Sequence, residues 1–484
     1  MTIDYDKLYI DGKFRQTSSG STIVVTSPTT GQTVGLVPEA DTHDVDCAVA
    51  AARRAFDDPT GWSQWDAERR GTALERFAAA LEKHGNTMAE RVSVQNGMPI
   101  SLANALEAAV PALMVRFYAQ MMKDLPQEEL RPGMFGGSSR VIREPVGVVA
   151  AVVPWNVPQG ISFLKLAPAL AAGCSVVLKP APETVLDAQL LGEIAIEAGL
   201  PDGVLNIVPG RRDIGAYLVG HPGIDKVSFT GSTDAGRAIA ETCGRLLRPV
   251  TLELGGKSAA IVLDDADLSA HLEAFFNVSF IHAGQICYMN SRILVPRSRY
   301  SDVLDTIVGF AESVVVGDPL DPMTQMGPLV SQAQRDRVEG YITKGVSDGA
   351  RLVTGGGRPK GLDSGLFVQP TVFADVDNGS TIAQEEIFGP VLAVIPYEND
   401  DEAVAIANAS DFGLGGTVWT ADRERGEAIA RRVHTGTIGI NAYAQDPTAP
   451  FGGVKNSGLG REMGPEALQS YQVVKSIYRD PMSN

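Results

Sequence analysis

The chain has 484 residues, room for two or three domains of roughly 150 residues, each large enough for its own core. Hydrophobic residues make up 44% and charged residues 20%, the balance of an ordinary globular protein, and the formal net charge of −17 argues against a nucleic-acid backbone or an anionic membrane as partner. The 51 glycines and 29 prolines follow no repeat, which excludes collagen-like and low-complexity architectures and points to many tight turns.

The N-terminus, MTIDYDKLYIDGKF, has no basic stretch followed by an apolar one, so no signal peptide is expected and the cytoplasm is the expected location. Lys7–Phe14 and Thr22–Thr26 read as short strands between turns. Ala40–Phe56, Asp66–Asn96 and Ala105–Met122 read as helices that cover a sheet. Asp124–Arg143 fits neither pattern. Its Ser139–Arg143 is strand-like, as is Gln472–Tyr478 in the tail, and both are expected to pair with another subunit.

From Val146 onward strands and helices alternate. Val146–Val153 is an apolar run rich in β-branched residues, of the kind buried on both faces of a sheet and too short for a bilayer. Ile161–Leu178 is longer, but Lys165, Pro168 and Gly173 interrupt it. Further strand-like runs are Ser175–Lys179, Val204–Val208, Lys226–Thr230, Val250–Leu254 and Ala259–Leu263. Leu186, Leu190, Ile194 and Ala198 recur every four residues, with Thr184 as the expected N-cap and Gly199 and Pro201 as stops. Ala235–Leu247 is the next helix. This alternation predicts a doubly wound parallel sheet of the dinucleotide-binding type. Residues 264–440 alternate again. Helices are expected at Leu268–Ile281, Arg299–Val315, Gln332–Gly349, Asp401–Ala409 and Arg423–Val433. Strands are expected at Arg292–Val295, Val391–Pro396, Gly416–Trp419 and Thr437–Asn441, making a second α/β domain.

Four constellations could carry chemistry. Cys287 stands in Gly284-Gln285-Ile286-Cys287-Tyr288, just past an apolar helix, and suits a thiolate nucleophile; a buried structural thiol is the plain alternative. Cys47, Cys174 and Cys243 read as small buried hydrophobes, and four cysteines without CxxC spacing form neither a disulfide framework nor an expected metal site. His282 is five residues upstream of Cys287 and the other histidines are scattered, so a Cys–His hydrolase is not supported. Glu253 ends an otherwise apolar strand, where desolvation would raise its pKa toward that of a general base. Asn156, in Pro154-Trp155-Asn156, follows a parallel strand, where ligands bind in such folds and where an amide can donate to an oxyanion. Phe229–Gly236 is a small-residue junction between strand and helix, suited to a pyrophosphate but weak as a signal alone.

Together the local phrases are far more specific. PWN (154–156), LKP (178–180), FTGST (229–233), ELGGKS (253–258), GQIC (284–287), EEIFGPVL (385–392) and PFGGVKNSGLGRE (450–462) resemble, in order and over most of the chain, the aldehyde dehydrogenase superfamily. The resemblance implies an α/β fold with two doubly wound domains and a small β oligomerisation flap. Its expected boundaries are 1–123 with 144–252 for the NAD(P)-binding domain, 253–450 for the catalytic domain, and 124–143 with 451–484 for the flap. It implies that Cys287 attacks the aldehyde, Asn156 donates to the oxyanion, Glu253 activates the hydrolytic water and Lys165 relays a proton. For the cofactor it implies a floor of Pro154, Trp155, Leu254 and Gly255, with Lys179 on the adenosine ribose. Gly231 and Ser232 would face the pyrophosphate, and Glu386, with Phe388 nearby, the nicotinamide ribose.

Many NAD-preferring members carry a glutamate three residues after that lysine. Here Pro182 occupies the position and the carboxylate is Glu183, so the usual argument against NADP fails; NAD remains the expected cofactor and NADP the alternative. The aldehyde pocket is expected from Val157, Gly160, Leu164, Ile281, Ile286, Tyr288, Tyr443 and Phe451. None is charged, which implies an apolar substrate, aromatic or terpenoid aldehydes included. The competing readings are a CoA-acylating dehydrogenase, which needs no base at Glu253, and a binding protein on the same fold. A homodimer or homotetramer is expected.

Overall fold

The computed structural model describes residues 2–479. Two parallel sheets organise the chain. In the first, the strands Val148–Val152, Ser175–Lys179 and Lys226–Thr230 are buried at every position, because helices cover both faces. The sheet order is Leu205–Ile207, Ser175–Lys179, Val148–Val152, Lys226–Thr230, Val250–Glu253, all parallel, with Gly458–Leu459 antiparallel at the edge. The connections run outward in one direction and then in the other from Val148–Val152, which opens a crevice at the carboxyl ends of the central strands. The register sets Val152 beside Lys179 and Phe229, and Thr230 beside Glu253. The turns that begin at Val153, Gly231 and Leu254 therefore emerge side by side.

The second sheet has the order Arg351–Thr354, Thr371–Ala374, Val391–Tyr397, Arg292–Pro296, Ala259–Val262, Gly416–Trp419, Gly439–Ile440, parallel except for its first strand. Ala259–Val262, six residues after Glu253, thus belongs to this sheet and not to the first. Each sheet has its own apolar core, with Trp419 and Phe275 central to the second.

The helices show where local pattern holds and where tertiary contacts replace it. Thr42–Asp57 is opened by a reciprocal capping box between Asp41 and Asp44, and Ala67–Asn96 runs from an Asp66 cap to a left-handed Gly97. Thr184, the expected cap of Leu186–Glu197, makes no cap bond; Gln95 of the neighbouring helix accepts from the Leu186 N–H at 3.0 Å instead. The expected helix over residues 268–281 breaks into the turn Leu268–His271, the helix Leu272–Ser279 and the turn Ile281–Gly284, where His282 and Ala283 take φ of 52° and 53°. One helix, Ile100–Asp124, is long and apolar enough to cross a membrane by length and composition, but it packs against Ala67–Asn96 and Pro158–Ala172.

Glu128–Pro132, Ser138–Pro145 and Gln472–Tyr478 form a three-stranded antiparallel sheet. The two outlying strand-like segments, Ser139–Arg143 and Gln472–Tyr478, pair with each other within the chain. In the stretch 451–471, Gly458–Leu459 joins the first sheet and Gly464–Ser470 packs on Pro158–Ala172. Residues 480–484 of the expected flap lie outside the described residues.

Candidate active site

The turn after Val148–Val152 carries Pro154, Trp155 and Asn156, and Pro158 then opens the helix Pro158–Ala172 at its first position, where a missing N–H costs nothing. Asn96, at the end of its own helix, donates to the Trp155 and Asn156 carbonyls at 3.1 Å each and fixes the turn. Asn156 Nδ2 donates to Gln285 O at 2.9 Å, two residues before Cys287. The PWN turn and the cysteine loop are therefore one unit. The left-handed pair His282–Ala283 and Gly284, at φ 71°, bend the chain into that loop. A Cβ on Gly284 would lie 2.1 Å from the Gly389 carbonyl, so only glycine fits there.

Two cavities meet at Cys287. One, of about 280 Å³, is lined by Pro154, Trp155, Asn156, Gly231, Ser232, Leu254, Gly255, Cys287, Glu386 and Phe388. The other, of about 330 Å³, is lined by Asn156, Val157, Gly160, Leu164, Ile286, Cys287, Tyr288, Tyr443 and Phe451. Asn156, Ile161 and Cys287 line both. An electrophile in the second cavity and a redox partner in the first would thus reach the same sulfur from opposite sides.

Burial pushes the Cys287 thiol up, and the Glu253 and Glu386 carboxylates add to it against its own N–H and that of Tyr288. A thiol pushed up in this way needs a base to become a nucleophile. Glu253 is 3% exposed and neither carboxylate oxygen has a hydrogen-bond partner. Burial, and then the nearby Glu462, hold its carboxyl well above the usual range, opposed by Lys165 and Arg461. Lys165 is fully buried, pairs with Glu462 and donates to Thr230 Oγ1 at 2.7 Å. Glu462 was not singled out by the sequence. Phe451 and Glu462 exchange backbone hydrogen bonds at 2.7 and 2.8 Å, so one hairpin delivers Phe451 to the apolar cavity and Glu462 to Lys165.

The first cavity fits a dinucleotide. Trp155 and Phe388 form an edge-to-face wall with centroids 5.5 Å apart. Glu386 Oε1 accepts from Gly256 N at 2.9 Å, and a Cβ on Gly255 would lie 2.4 Å from Glu386 Oε2, so a side chain there would push this carboxylate aside. Burial raises the Glu386 carboxyl, although the Gly256 N–H pulls the other way. The helix Thr233–Arg245 points its N-terminus here, with Ser232 spent as its cap through a 3.3 Å bond from Ala235 N. Lys179 donates to the Pro180 and Gly210 carbonyls at 2.8 and 2.5 Å, and burial lowers it to about 8. Pro182 and Glu183 line a separate groove of about 680 Å³ with Arg211 and Gln95, and burial raises the Glu183 carboxyl. Gln334 and Arg337 also line the cofactor-side cavity, and Gln334 holds the Phe388 carbonyl at 2.7 Å. No spacing in the sequence signals them.

The apolar cavity corrects one expected residue. Ile281 does not line it, because the left-handed turn that follows sets it apart from the loop carrying Ile286. The residues missed are Leu106, Val110, Leu113 and Met114 from the helix Ile100–Asp124, with Ile161, Gln445, Pro447 and Met463. The first four follow the helical repeat of three and four residues, a signal that was present. Among the described residues, no Lys, Arg, Asp or Glu lines this cavity.

Comparisons with known proteins show the family and the fold. The model of the aldehyde dehydrogenase family matches residues 14–477. The chain is 54% identical to a geranial dehydrogenase of Castellaniella defragrans, over 99% of each, and 42% identical to a 3-succinoylsemialdehyde-pyridine dehydrogenase of a Pseudomonas species, over 98% of each. Its fold superposes on a Mycobacterium tuberculosis aldehyde dehydrogenase complexed with NAD+ at a TM-score of 0.97, with 47% identity and 100% of each chain covered. For a mutant aldehyde dehydrogenase C of Pseudomonas syringae in complex with NAD+ and octanal the TM-score is 0.94, with 39% identity and 98% and 96% covered. With its whole length matched, a lone cysteine where two cavities meet and a buried carboxyl beside it, the chain belongs to the aldehyde dehydrogenase family.

Proposed function

We propose that this enzyme oxidises an apolar aldehyde of medium length to the carboxylic acid, with NAD+ as electron acceptor. The observation that carries the substrate class is the uncharged cavity of about 330 Å³ ending on Cys287. The similarity to a dehydrogenase named for geranial and to one solved with octanal supports the same class. Neighbours solved with NAD+ support the cofactor.

Cys287 Sγ passes its proton to the Glu253 carboxylate and adds to the aldehyde carbon, whose carbonyl electrons move onto oxygen to give the oxyanion of a thiohemiacetal. The Asn156 amide donates to the developing oxyanion; one of its N–H groups is spent on Gln285 and the other is free for that task. Trp155, Glu386 and Phe388 around the Gly255-Gly256 turn would hold the dinucleotide, which when bound would supply the two-electron acceptor that turns the thiohemiacetal into a thioester. Glu253, raised by burial, takes a proton from the water that opens the thioester, releasing the acid and the Cys287 thiol. Lys165 and Glu462 lead away from Glu253 and carry its proton onward. A carboxyl at this place serves hydrolysis, which favours the acid over a CoA thioester as product.

The two sheets divide the chain, in this reading, into a cofactor domain (1–123 with 144–252) and a catalytic domain (253–450). The sheet built from Glu128–Pro132, Ser138–Pro145 and Gln472–Tyr478 is the oligomerisation flap of a homodimer or homotetramer. Its outward Leu130, Val474 and Tyr478 are 61%, 65% and 82% exposed. Four unpaired cysteines suit a reducing compartment, and the cytoplasm is the proposed location.

The test is reduced-nicotinamide absorbance with citral, hexanal, benzaldehyde and succinic semialdehyde, each with NAD+ and with NADP+, beside Cys287→Ala. Turnover of the apolar aldehydes with NAD+, abolished in the variant, is expected. A preference for succinic semialdehyde would refute the substrate class, and no turnover with any aldehyde would refute the function.

A further inference from the structure

A buried carboxyl outside the reacting groups stands behind the oxyanion turn. Glu107 lies in the π-helical turn Asn104–Ala109 of the helix Ile100–Asp124 and is fully buried. Its Oε2 accepts from the Gln159 and Gly160 N–H groups at 2.7 and 3.2 Å. These are the second and third residues of the helix Pro158–Ala172, whose first-turn N–H groups have no acceptor within the helix. Val157, at the cap position, offers them no side chain. Glu107 therefore caps, from a distance of 52 positions in the chain, the helix that follows Asn156.

The anchoring reaches both working surfaces. Leu106 and Val110, on either side of Glu107, line the aldehyde cavity, and so do Gly160, Ile161 and Leu164 from the helix it holds. Gln159 continues the network: its Nε2 donates to Asp187 at 2.5 Å, and Gln95 Nε2 donates to the other Asp187 oxygen at 2.6 Å. Asn96, the neighbour of Gln95, holds the Asn156 carbonyl. The Asn156 turn is thus clamped from both sides. A π turn is a local irregularity that recurs at functional sites, and here it sets the register of Leu106, Glu107 and Val110.

We propose that Glu107 is a positioning residue for aldehyde oxidation, fixing the separation of the two helices that wall the aldehyde cavity and, through them, the Asn156 amide. The proposal rests on the dehydrogenase reading above. Burial and the Asp187 carboxylate push the Glu107 carboxyl up to about 8, against the pull of the Gln159 and Gly160 N–H groups. Near neutrality its role therefore calls for an oxygen acceptor rather than a negative charge.

The test compares Glu107→Met and Glu107→Gln in the full-length enzyme with hexanal and NAD+. Four readouts are taken: kcat and KM for hexanal, NAD+ affinity, the rate of Cys287 alkylation by iodoacetamide, and the thermal midpoint. Glu107→Met is expected to lose about a hundredfold in kcat/KM for hexanal, the scale of a small misplacement of a positioned group, with NAD+ affinity and alkylation retained. Glu107→Gln, which keeps the acceptor oxygen, is expected to recover most of that loss. Wild-type kcat/KM in the Met variant overturns the proposal, as does a Gln variant as impaired as Met. A loss spread equally over hexanal turnover, NAD+ affinity and alkylation also overturns it, since that marks a merely structural role. If the Met variant does not fold, Glu107→Asp, shorter by one methylene, decides: a fall in kcat/KM at an unchanged thermal midpoint supports the anchor, and wild-type kcat/KM overturns it. A wild type inactive on every aldehyde overturns the proposed function itself, an outcome distinct from a working enzyme that is indifferent to residue 107.

Discussion

Removing the Asn156 amide isolates the oxyanion contribution, because the structure shows what else the side chain does. One of its two N–H groups goes to Gln285 O at 2.9 Å, in a buried setting, and ties the turn to the cysteine loop. The other makes no hydrogen bond among the described residues, and Asn156 lines both cavities beside Cys287. Asn156→Ala loses the free donor, which costs about 2.7–4 kcal/mol of transition-state stabilisation, roughly a hundred- to a thousandfold in kcat. It also strands the Gln285 carbonyl, which costs about 1–3 kcal/mol of folding stability. The two losses read out separately. Steady-state kinetics with hexanal report the first, with KM little changed because the donor acts on the oxyanion and not on the bound aldehyde. Thermal unfolding reports the second, and iodoacetamide alkylation shows whether Cys287 has stayed in place. Asn156→Asp keeps the shape, loses both donors and adds a charge near the sulfur, so it should be at least as slow. A kcat within about threefold of wild type in Asn156→Ala, with alkylation unchanged, would refute the assignment of this amide to the oxyanion.

Three further outcomes follow from the same geometry. Glu253→Gln should stall at the thioester, with one equivalent of reduced cofactor formed in a burst and steady turnover down about a hundred- to ten-thousandfold. Since burial and Glu462 raise the Glu253 carboxyl, its base form grows as pH rises; wild-type kcat should climb with pH and the residual rate of the Gln variant should not. Gly160→Val narrows the cavity, because a Cβ there already lies 2.8 Å from Val157 Cγ1 and 3.2 Å from the Leu106 carbonyl. Efficiency with citral should fall about 10- to 200-fold more than with acetaldehyde, and an unchanged ratio of the two would refute the role of this wall. His282 is fully buried, and desolvation lowers it to about 4 against the pull of the Asn156 backbone. The folded state resists a proton that the unfolded chain accepts near pH 6.5, so stability present above that pH is lost as pH falls toward 4. His282→Asn, also at home at φ 52°, should raise the thermal midpoint at pH 5 relative to wild type and leave it little changed at pH 8, as differential scanning calorimetry would show.

The sequence by itself determined the family, the α/β architecture and most strand positions. Ser175–Lys179, Lys226–Thr230 and Gly416–Trp419 lie where their short β-branched and aromatic runs placed them, because a strand buried on both faces is mostly apolar, with polar side chains such as Ser228 and Thr417 buried among them. It also named Cys287, Glu253 and Asn156, since rare residue types stood in distinctive local phrases. What it left open concerns partners far apart in the chain. Thr184 had the chemistry of a cap, yet Gln95 took the Leu186 N–H. Glu107 caps the helix after Asn156 from another element, and Glu462 reaches Lys165 across 297 positions. Ile281 lay close to Cys287 in sequence, but the left-handed turn behind it takes it out of the cavity that Leu106, Val110 and Met114 complete. Local patterns record the period of a helix or strand and the residues that tolerate its ends. Which buried donor meets which acceptor, and which face lines a cavity, is decided only when the helices close over the two sheets and every buried polar group must find a partner.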